Sequence, residues 1–419
     1  MSGRTPTVAF LLRFMHCNDG VASHCETLIR ALGEQGWNVV IISGHVHYDE
    51  QSKIRFEQIR SMVTHWEVIE GLNTMRPSLG HLRKCSAVMR RFGVSILHGH
   101  GFSALPCAAV LRWMTGVKSV ATFHPSIHST NPHQIVGLAQ RQQQSLKYRL
   151  MLKATRPRAL IATSYEIRDW LRNDVHVSRD WVKHIPLGID SDTYRLPTQA
   201  ERTDARASFG FAEDECVLLL AGRLSWNKGH DLLIDAARLV YAKRSDAKFR
   251  VVFAGSGDQA DEIKAYANAE PWAAELFTFL GFVEDLASVY WASDVFVLPS
   301  RFEGFGLVVA EAMSAGLLPV RTPSGGVRDQ IVEGESGFVT PFDDAKALAR
   351  ILEQVVVDRD MRARVAANAA ARAHALFSKE GMARRTAALY DQVIHNVSEQ
   401  ADEAPAVDRE RPGTVPNHP

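Results

Sequence analysis

Two glutamates stand eight residues apart in Ser300–Gly316, SRFEGFGLVVAEAMSAG. Glu303 lies beside Gly304 and Gly306, and Glu311 lies inside an apolar run. The preceding DVFVLPS has the β-branched, turn-bounded character of a buried strand, and LVVAEAMSA has helical spacing up to Gly316. Strand, glycine turn and helix in that order form the crevice in which open α/β sheets hold ligands. Free N–H groups at a helix start attract phosphate, and the glycines let a ligand approach the main chain. Glu311 lies roughly 7–8 Å beyond Gly306 at 1.5 Å per residue, which suits the reach from a phosphate to the hydroxyls of an attached ribose. Glu303, in the turn, faces hydroxyls on the other side of the phosphates. The spacing alone is equally served by an exposed residue at 311 and a helix-dipole partner at 303.

A second junction, Ala221–Ala237, reads AGRLSWNKGHDLLIDAA and carries Arg223 and Lys228 between a strand and a helix. Arg can grip a diphosphate with two parallel bonds and Lys can act as a point charge; a solvated surface pair has the same appearance. In TPSGGVRDQIVEGESGFV (Thr322–Val339), paired glycines open another helix. His98 and His100 share one face of a strand and would suit a metal ion, but no third ligand stands at a convincing spacing. Asp190-Ser191-Asp192 is a DxD, which elsewhere can hold Mg²⁺ or Mn²⁺. Here it falls in a polar segment away from any strand end and reads as linker polarity.

The elements that must position these groups follow a βαβα rhythm. TVAFLLRF, WNVVIIS, SILHG, VKSVATF and ALIATS alternate with helix-length amphipathic segments, as do CVLLLAG, FRVVFAG, LFTFLG and DVFVLPS later. The pattern lapses at Pro186–Arg206. The reading is therefore α/β: a first doubly wound domain over 1–190, a linker over 191–206 and a second over 207–375. A C-terminal helix over 376–397 crosses back to the first domain, and a Pro-rich disordered tail begins at Ser398. The 419 residues allow two cores. Residues 1–195 hold 24 Lys/Arg against 14 Asp/Glu, and the remainder 24 against 33, so the first half is built to meet something anionic. Five scattered cysteines form no CxxC pair and argue against a disulfide framework or zinc ribbon. With no signal-peptide pattern and no long apolar run, a cytoplasmic location is expected.

The glutamate pair in PSRFEGFGLVVAEAMSAG, the strand-end GRL…KG and the PSGG turn together resemble the retaining glycosyltransferases of two-Rossmann GT-B architecture, glycosyltransferase family 4. The resemblance extends over about residues 7–395 and is most specific in the second half. It implies that Arg223 and Lys228 bind the diphosphate of a nucleotide-sugar donor, that Glu311 holds the ribose, and that Glu303 contacts donor-sugar hydroxyls. It further implies that the backbone of Phe305, Gly306 and Leu307 lines phosphate and sugar, that Val283 meets the nucleobase, and that His124, in VATFHPS, orients sugar or acceptor. Gly20 stands for the family's first-domain glycine loop, which here reads CNDGVASH with Asp19 before the glycine. Two further departures are Pro186-Leu187-Gly188, where relatives often have Pro-Asn-Gly, and Arg328-Asp329, where they commonly have Pro-Glu.

The resemblance implies catalysis without metal or other cofactor. In a front-face displacement the departing β-phosphate is stabilised by Arg223, Lys228 and the helix start, and takes the acceptor's proton. For the acceptor, Arg141–Arg158 carries six cations and no acid with Leu and Met interleaved. Such a face can lie on an anionic membrane surface or simply be solvated, so the expected partner is a carbohydrate, glycolipid or lipid-linked acceptor. A nicotinamide oxidoreductase is disfavoured because the first strand is not followed by GxGxxG. A phosphorylase-like enzyme lacks support for a pyridoxal-phosphate lysine, and nucleic-acid binding lacks a reading module. A non-catalytic nucleotide-sugar scaffold or sensor is the alternative from another class.

Overall fold

The computed structural model describes residues 5–13, 20–44, 50–124, 138–244 and 246–396, with the backbone alone at 50–54 and 138–142. Asp19 and the tail from Ser398 lie outside the described residues. The first half runs β1 (Thr7–Leu12), α1 (Gly20–Glu34), β2 (Asn38–Ser43), α2 (Glu50–Met62), β3 (His65–Val68), α3 (Leu79–Arg91) and β4 (Ile96–His100). It continues with α4 (Leu105–Thr115), β5 (Lys118–Phe123), α5 (Leu138–Thr155), β6 (Ala159–Ala162), α6 (Tyr165–Asn173) and β7 (Val182–His184). These strands form a parallel seven-stranded sheet in the order β3-β2-β1-β4-β5-β6-β7.

The second half runs α7 (Gln199–Phe209), β8 (Cys216–Ala221), α8 (His230–Lys243), β9 (Phe249–Ala254), α9 (Ala260–Ala267), α10 (Ala273–Leu276), β10 (Phe277–Gly281), α11 (Leu286–Ala292) and β11 (Val295–Leu298). Then come α12 (Leu307–Ser314), β12 (Leu318–Arg321), α13 (Val327–Gln330), β13 (Phe338–Val339), α14 (Ala345–Val357), α15 (Arg359–Leu376) and α16 (Lys379–His395). Its parallel sheet has the order β10-β9-β8-β11-β12-β13. Each sheet reverses its winding once, between β1 and β4 and between β8 and β11. A crevice opens there at the strands' carboxyl ends.

The central strands are apolar because both faces are covered. On β1, Val8, Phe10 and Leu12 point to one layer, with α1 and Met382, Ala383 and Tyr390 of α16, while Ala9 and Leu11 point to the layer of α3 and α4. The last helix therefore belongs to the first domain's core: Tyr390 Oη meets His98 Nδ1 at 2.6 Å, and Lys118 donates to the carbonyls of Val393 and Ile394. The two chain crossings between domains are strapped together. Ile189 N donates to Phe377 O and Lys379 N to Ile189 O, and Gly188 leaves no room for a side chain against the start of α16.

The stretch read as a linker, 191–206, differs from that reading. From Gln199 it is helix α7, begun by a capping box in which Thr198 and Glu201 each bond the other's backbone N–H. Its Arg202 and Arg206 reach across to Asp294 and to the carbonyls of Ala292 and Ser293, so α7 is fastened to the second domain. Hydrophobic periodicity missed it because what α7 buries includes an arginine, Arg206, 1% exposed.

Candidate functional site

The loops after β8 and β11 meet over the second sheet's switch point. Arg301 N donates to Asn227 O at 2.9 Å, and Lys228 Nζ lies 2.5 Å from Glu303 Oε1, which also accepts from Ser300 Oγ at 3.1 Å. Glycine makes that approach feasible: a Cβ on Gly229, where φ is 75°, would fall 2.2 Å from Pro299 O. Arg223, next to the end of β8, is exposed, and among the described residues it has no ion-pair partner. Its cation stands at the strand end available to an anion.

Helix α12 begins at Gly306 with no side-chain cap, so its first N–H groups are open to a ligand. Beneath this start lies Arg321, fully buried on β12. Its guanidinium donates to the carbonyls of Phe305, Ser324 and Gly325, to Ser324 Oγ and to Gln330 Oε1. Gln330 in turn donates to the carbonyls of Phe305 and Gly306 at 3.0 and 3.1 Å. All these acceptors are neutral, and among the described residues no carboxylate pairs with Arg321. Burial alone pulls its pKa down, opposed by the more distant charges of Glu303, Glu166 and Asp329. The paired glycines complete the assembly: a Cβ on Gly325 would meet Gly304 O at 2.4 Å, and one on Gly326 would meet Phe305 O at 2.3 Å. Arg321 and Gln330 were not legible as site residues, since a lone Arg at the end of an apolar strand carries no spacing signal.

Glu311 is half-buried on α12 and accepts from Tyr290 Oη at 3.1 Å. Burial raises its carboxyl to about 7, against the Tyr290 bond and the Arg55 guanidinium, which both pull it down. Tyr194 packs edge-on against Tyr290, and its phenol is pushed up first by the Glu311 charge and then by burial. Arg55 belongs to α2 of the first domain, so that domain places a charge near Glu311; no sequence pattern pointed to it. Val283 is half-buried beyond β10, at the same carboxyl edge but on the sheet's outer strand. Phe305 and Gly306 are buried and Leu307 half-buried, at the α12 start.

In the first domain, Gly20 opens α1 and is exposed. His124 follows β5 and is brought together with His100 from β4 and His24 from α1, whereas among the described residues no hydrogen bond joins it to the second domain. All these imidazoles are held neutral by burial: His24 and His100 lie well below the usual histidine range, His98 at about 3 and His124 at about 4. His98 is structural, with Nδ1 on Tyr390 and Nε2 on Thr122 Oγ1, both at 2.6 Å. Asp190 and Asp192 of the DxD each lie 2.7 Å from Lys379 Nζ, which makes them part of the strap between the domain crossings.

Arg328-Asp329 bridges the two domains. Glu166, in the first turn of α6, accepts from Gly326 N at 2.8 Å and Arg328 N at 3.3 Å, and Asp169 pairs with Arg328 at 2.5 Å. Asp329, 3% exposed, accepts from Tyr165 N at 2.9 Å and lies 2.8 Å from His184 Nε2.

Residues 18–193 match the model of Glycosyltransferase Family 4, and residues 201–372 that of Glycosyl transferases group 1. The chain belongs to glycosyltransferase family 4. This glycosyltransferase is 32% identical over 252 residues to the mannosylfructose-phosphate synthase of Agrobacterium fabrum, a match covering 58% of the chain and only 55% of that relative. It is 27% identical over 388 residues to the uncharacterized glycosyltransferase MJ1607 of Methanocaldococcus jannaschii, covering 88% of the chain and 94% of the relative. The fold of the glycosyltransferase is that of the Anabaena protein Alr3699/HepE, solved in complex with UDP, at a TM-score of 0.74 and 20% identity over 92% of this chain and 100% of that one. Its two parallel-sheet domains are thus the GT-B architecture. Among the described residues no helix is long and apolar enough to cross a membrane.

Proposed function

We propose that the enzyme moves a sugar from a nucleotide-sugar donor to a glycan, glycolipid or lipid-linked acceptor, with retention of configuration and without a metal ion, in cell-envelope or exopolysaccharide synthesis. The observation that carries this reading is the convergence of Arg223, the Lys228–Glu303 pair and the uncapped start of α12 on one switch-point crevice. Arg223 and Lys228 take the diphosphate, and the N–H groups at Gly306 and Leu307 face its oxygens. Glu311, with Tyr290 behind it, accepts from the ribose hydroxyls, and Val283 lies against the base. Glu303 accepts from the donor-sugar hydroxyls, and His124, across the cleft, orients sugar or acceptor.

The bond between the anomeric carbon and the β-phosphate oxygen breaks first and leaves an oxocarbenium-like sugar. Negative charge grows on that oxygen, where the two cations, the helix start and the buried Arg321 guanidinium all oppose it in a site of low dielectric. The acceptor hydroxyl enters on the face the phosphate is leaving and passes its proton to it. Preorganised donors of this kind supply charge stabilisation that a divalent ion supplies elsewhere, about 3–4 kcal/mol for each well-placed group.

The exposed face of α5 supports the lipid-linked acceptor. Leu146 and Leu150 are 53% and 58% exposed one turn apart, with Lys147 and Lys153 exposed beside them. Such a stripe suits the inner face of an anionic membrane.

Purified protein offered UDP-, GDP- and ADP-sugars with a membrane lipid extract, with and without EDTA, tests the reading. One donor is consumed, EDTA does not stop it, and the anomeric configuration of the product matches that of the donor. Tight nucleotide binding without turnover on any acceptor would favour a non-catalytic scaffold or sensor instead.

A further inference from the structure

We propose that His24, His100 and His124 form a binding site for a soft divalent transition-metal ion, Zn²⁺ foremost, at the first sheet's switch point. The three side chains come from separate elements at one end of that sheet. His100 is the last residue of β4, His124 follows β5, and His24 lies one turn into α1, the helix after β1. One ring nitrogen of each lies within 4.8 Å of the other two. His100 Nδ1 and His124 Nε2 are 3.3 Å apart. Two nitrogens at about 2.0–2.1 Å from a tetrahedral zinc are separated by about 3.3–3.4 Å, so this edge of the site is already formed. His24 offers the third corner, with a ring nitrogen within 4.8 Å of the other two.

The hydrogen-bond account points to a ligand independently. Among the described residues, both ring nitrogens of His24 are buried without a partner, in a residue only 3% exposed. Buried polar atoms are normally paired, and leaving one unpaired costs about 1–3 kcal/mol. His98, on the same strand face as His100, shows the contrast: both of its nitrogens are engaged by protein, and it stands outside the group. The donor set also states which ions fit. Three imidazole nitrogens, with no Asp or Glu among the described residues in the group, select Zn²⁺, Co²⁺, Ni²⁺ or Cu²⁺ over the oxygen-seeking Mg²⁺, Mn²⁺ and Ca²⁺. Cys25 Sγ, 3.5 Å from His100 Nδ1, adds a soft atom beside the cluster. Three protein ligands leave the fourth position to water or a hydroxyl.

The consequence for turnover rests on the proposed function, because His124 is there the residue that meets sugar or acceptor. A metal ion on its ring competes with that contact, so the loaded enzyme is inhibited and the metal-free enzyme is the active form. The ion-binding claim itself needs no turnover and is tested separately.

Co²⁺ is titrated into the purified full-length protein and its visible d–d spectrum is followed, with Zn²⁺ and Mg²⁺ as competitors. His24→Gln, His100→Gln and His124→Gln are compared with His395→Ala, an exposed histidine outside the group. The expected result is one Co²⁺ per chain with the intense bands of a four- or five-coordinate nitrogen site, displaced by Zn²⁺ and not by Mg²⁺. Affinity falls at least tenfold in each Gln variant whose melting profile stays native, and is unchanged in His395→Ala. His124→Gln, the most exposed of the three, guards against loss of fold. A weak octahedral spectrum, or equal affinity in wild type and the folded Gln variants, overturns the site. If Co²⁺ binds as expected but Zn²⁺ leaves turnover unchanged, the site stands and the role given to His124 in transfer falls.

Discussion

Lys228 Nζ and Glu303 Oε1 stand 2.5 Å apart, and this contact joins the loop after β8 to the turn after β11. Both groups are partly shielded, with side chains 27% and 11% exposed, so the pair is stronger than a surface ion pair. It holds the Glu303 carboxylate and the Lys228 cation in register with one another. Glu303→Gln keeps the shape and removes the charge. It lowers kcat by about 10²–10³ with little change in donor KM, the signature of an interaction made in the transition state. Steady-state kinetics on a variant with a native melting curve checks this; nearly full turnover would remove Glu303 from the mechanism.

Under the proposed function, Glu311 makes donor binding depend on pH. Its carboxyl is raised to about 7, mainly by burial. A raised acid favours folding most below its ordinary value near 4.5, and that contribution is lost as pH rises through about 7. Ribose hydroxyls donate best to the ionised form. Affinity for a nucleotide sugar, whose phosphates do not titrate in this range, therefore increases between pH 6 and 8, while the empty protein becomes less stable. Glu311→Gln flattens both trends. Calorimetric binding and melting curves at several pH values measure them together.

Asp329 carries a buried contact between the domains, with Tyr165 N and His184 converging on a carboxylate shielded from water. Asp329→Ala leaves those groups unpaired and costs about 3 kcal/mol of stability. Arg328→Ala, which removes the more exposed pair with Asp169 and the guanidinium's contact with the Tyr165 ring, costs about 1 kcal/mol. Denaturant titrations of the two variants separate these outcomes.

Arg321 tests whether a buried cation without a carboxylate partner serves the ligand or only the fold. Arg321→Met keeps volume but leaves the Gly325 carbonyl and Gln330 Oε1 without their guanidinium donor, at about 2–4 kcal/mol. It also removes a positive charge beneath the α12 start, so nucleotide affinity falls at least tenfold. Arg321→Lys restores the charge without the planar fork and recovers affinity only in part. Binding measured on the folded fraction of each variant distinguishes the two contributions.

How much of this was legible in the sequence depends on the range of the contact. The βαβα rhythm, the strand ends and the glycine turns are local patterns, and they led directly to two doubly wound sheets and to the GRL…KG, EGFG and PSGG loops. Helix α7 was also written locally, as Thr198-Gln199-Ala200-Glu201, but its polar composition and Pro197 outweighed that cap signal. The pairing of Lys228 with Glu303 spans 75 residues, and no periodicity connects them. The histidine group shows the same limit. His98 and His100 read as a candidate pair, whereas the structure engages His98 with Tyr390 and puts His24 and His124 beside His100. Arg328-Asp329, a departure from the family's Pro-Glu, turns out to bind the opposite domain.

The central claim is that the loops after β8 and β11 hold the diphosphate of a nucleotide-sugar donor. Calorimetric binding of UDP, GDP and ADP to wild type and to Arg223→Ala tests it most directly, since Arg223 is exposed and its removal leaves the fold intact. The account predicts that one nucleotide binds in the micromolar range and that Arg223→Ala weakens it at least tenfold. No nucleotide binding to wild type, or equal binding to the variant, would contradict it.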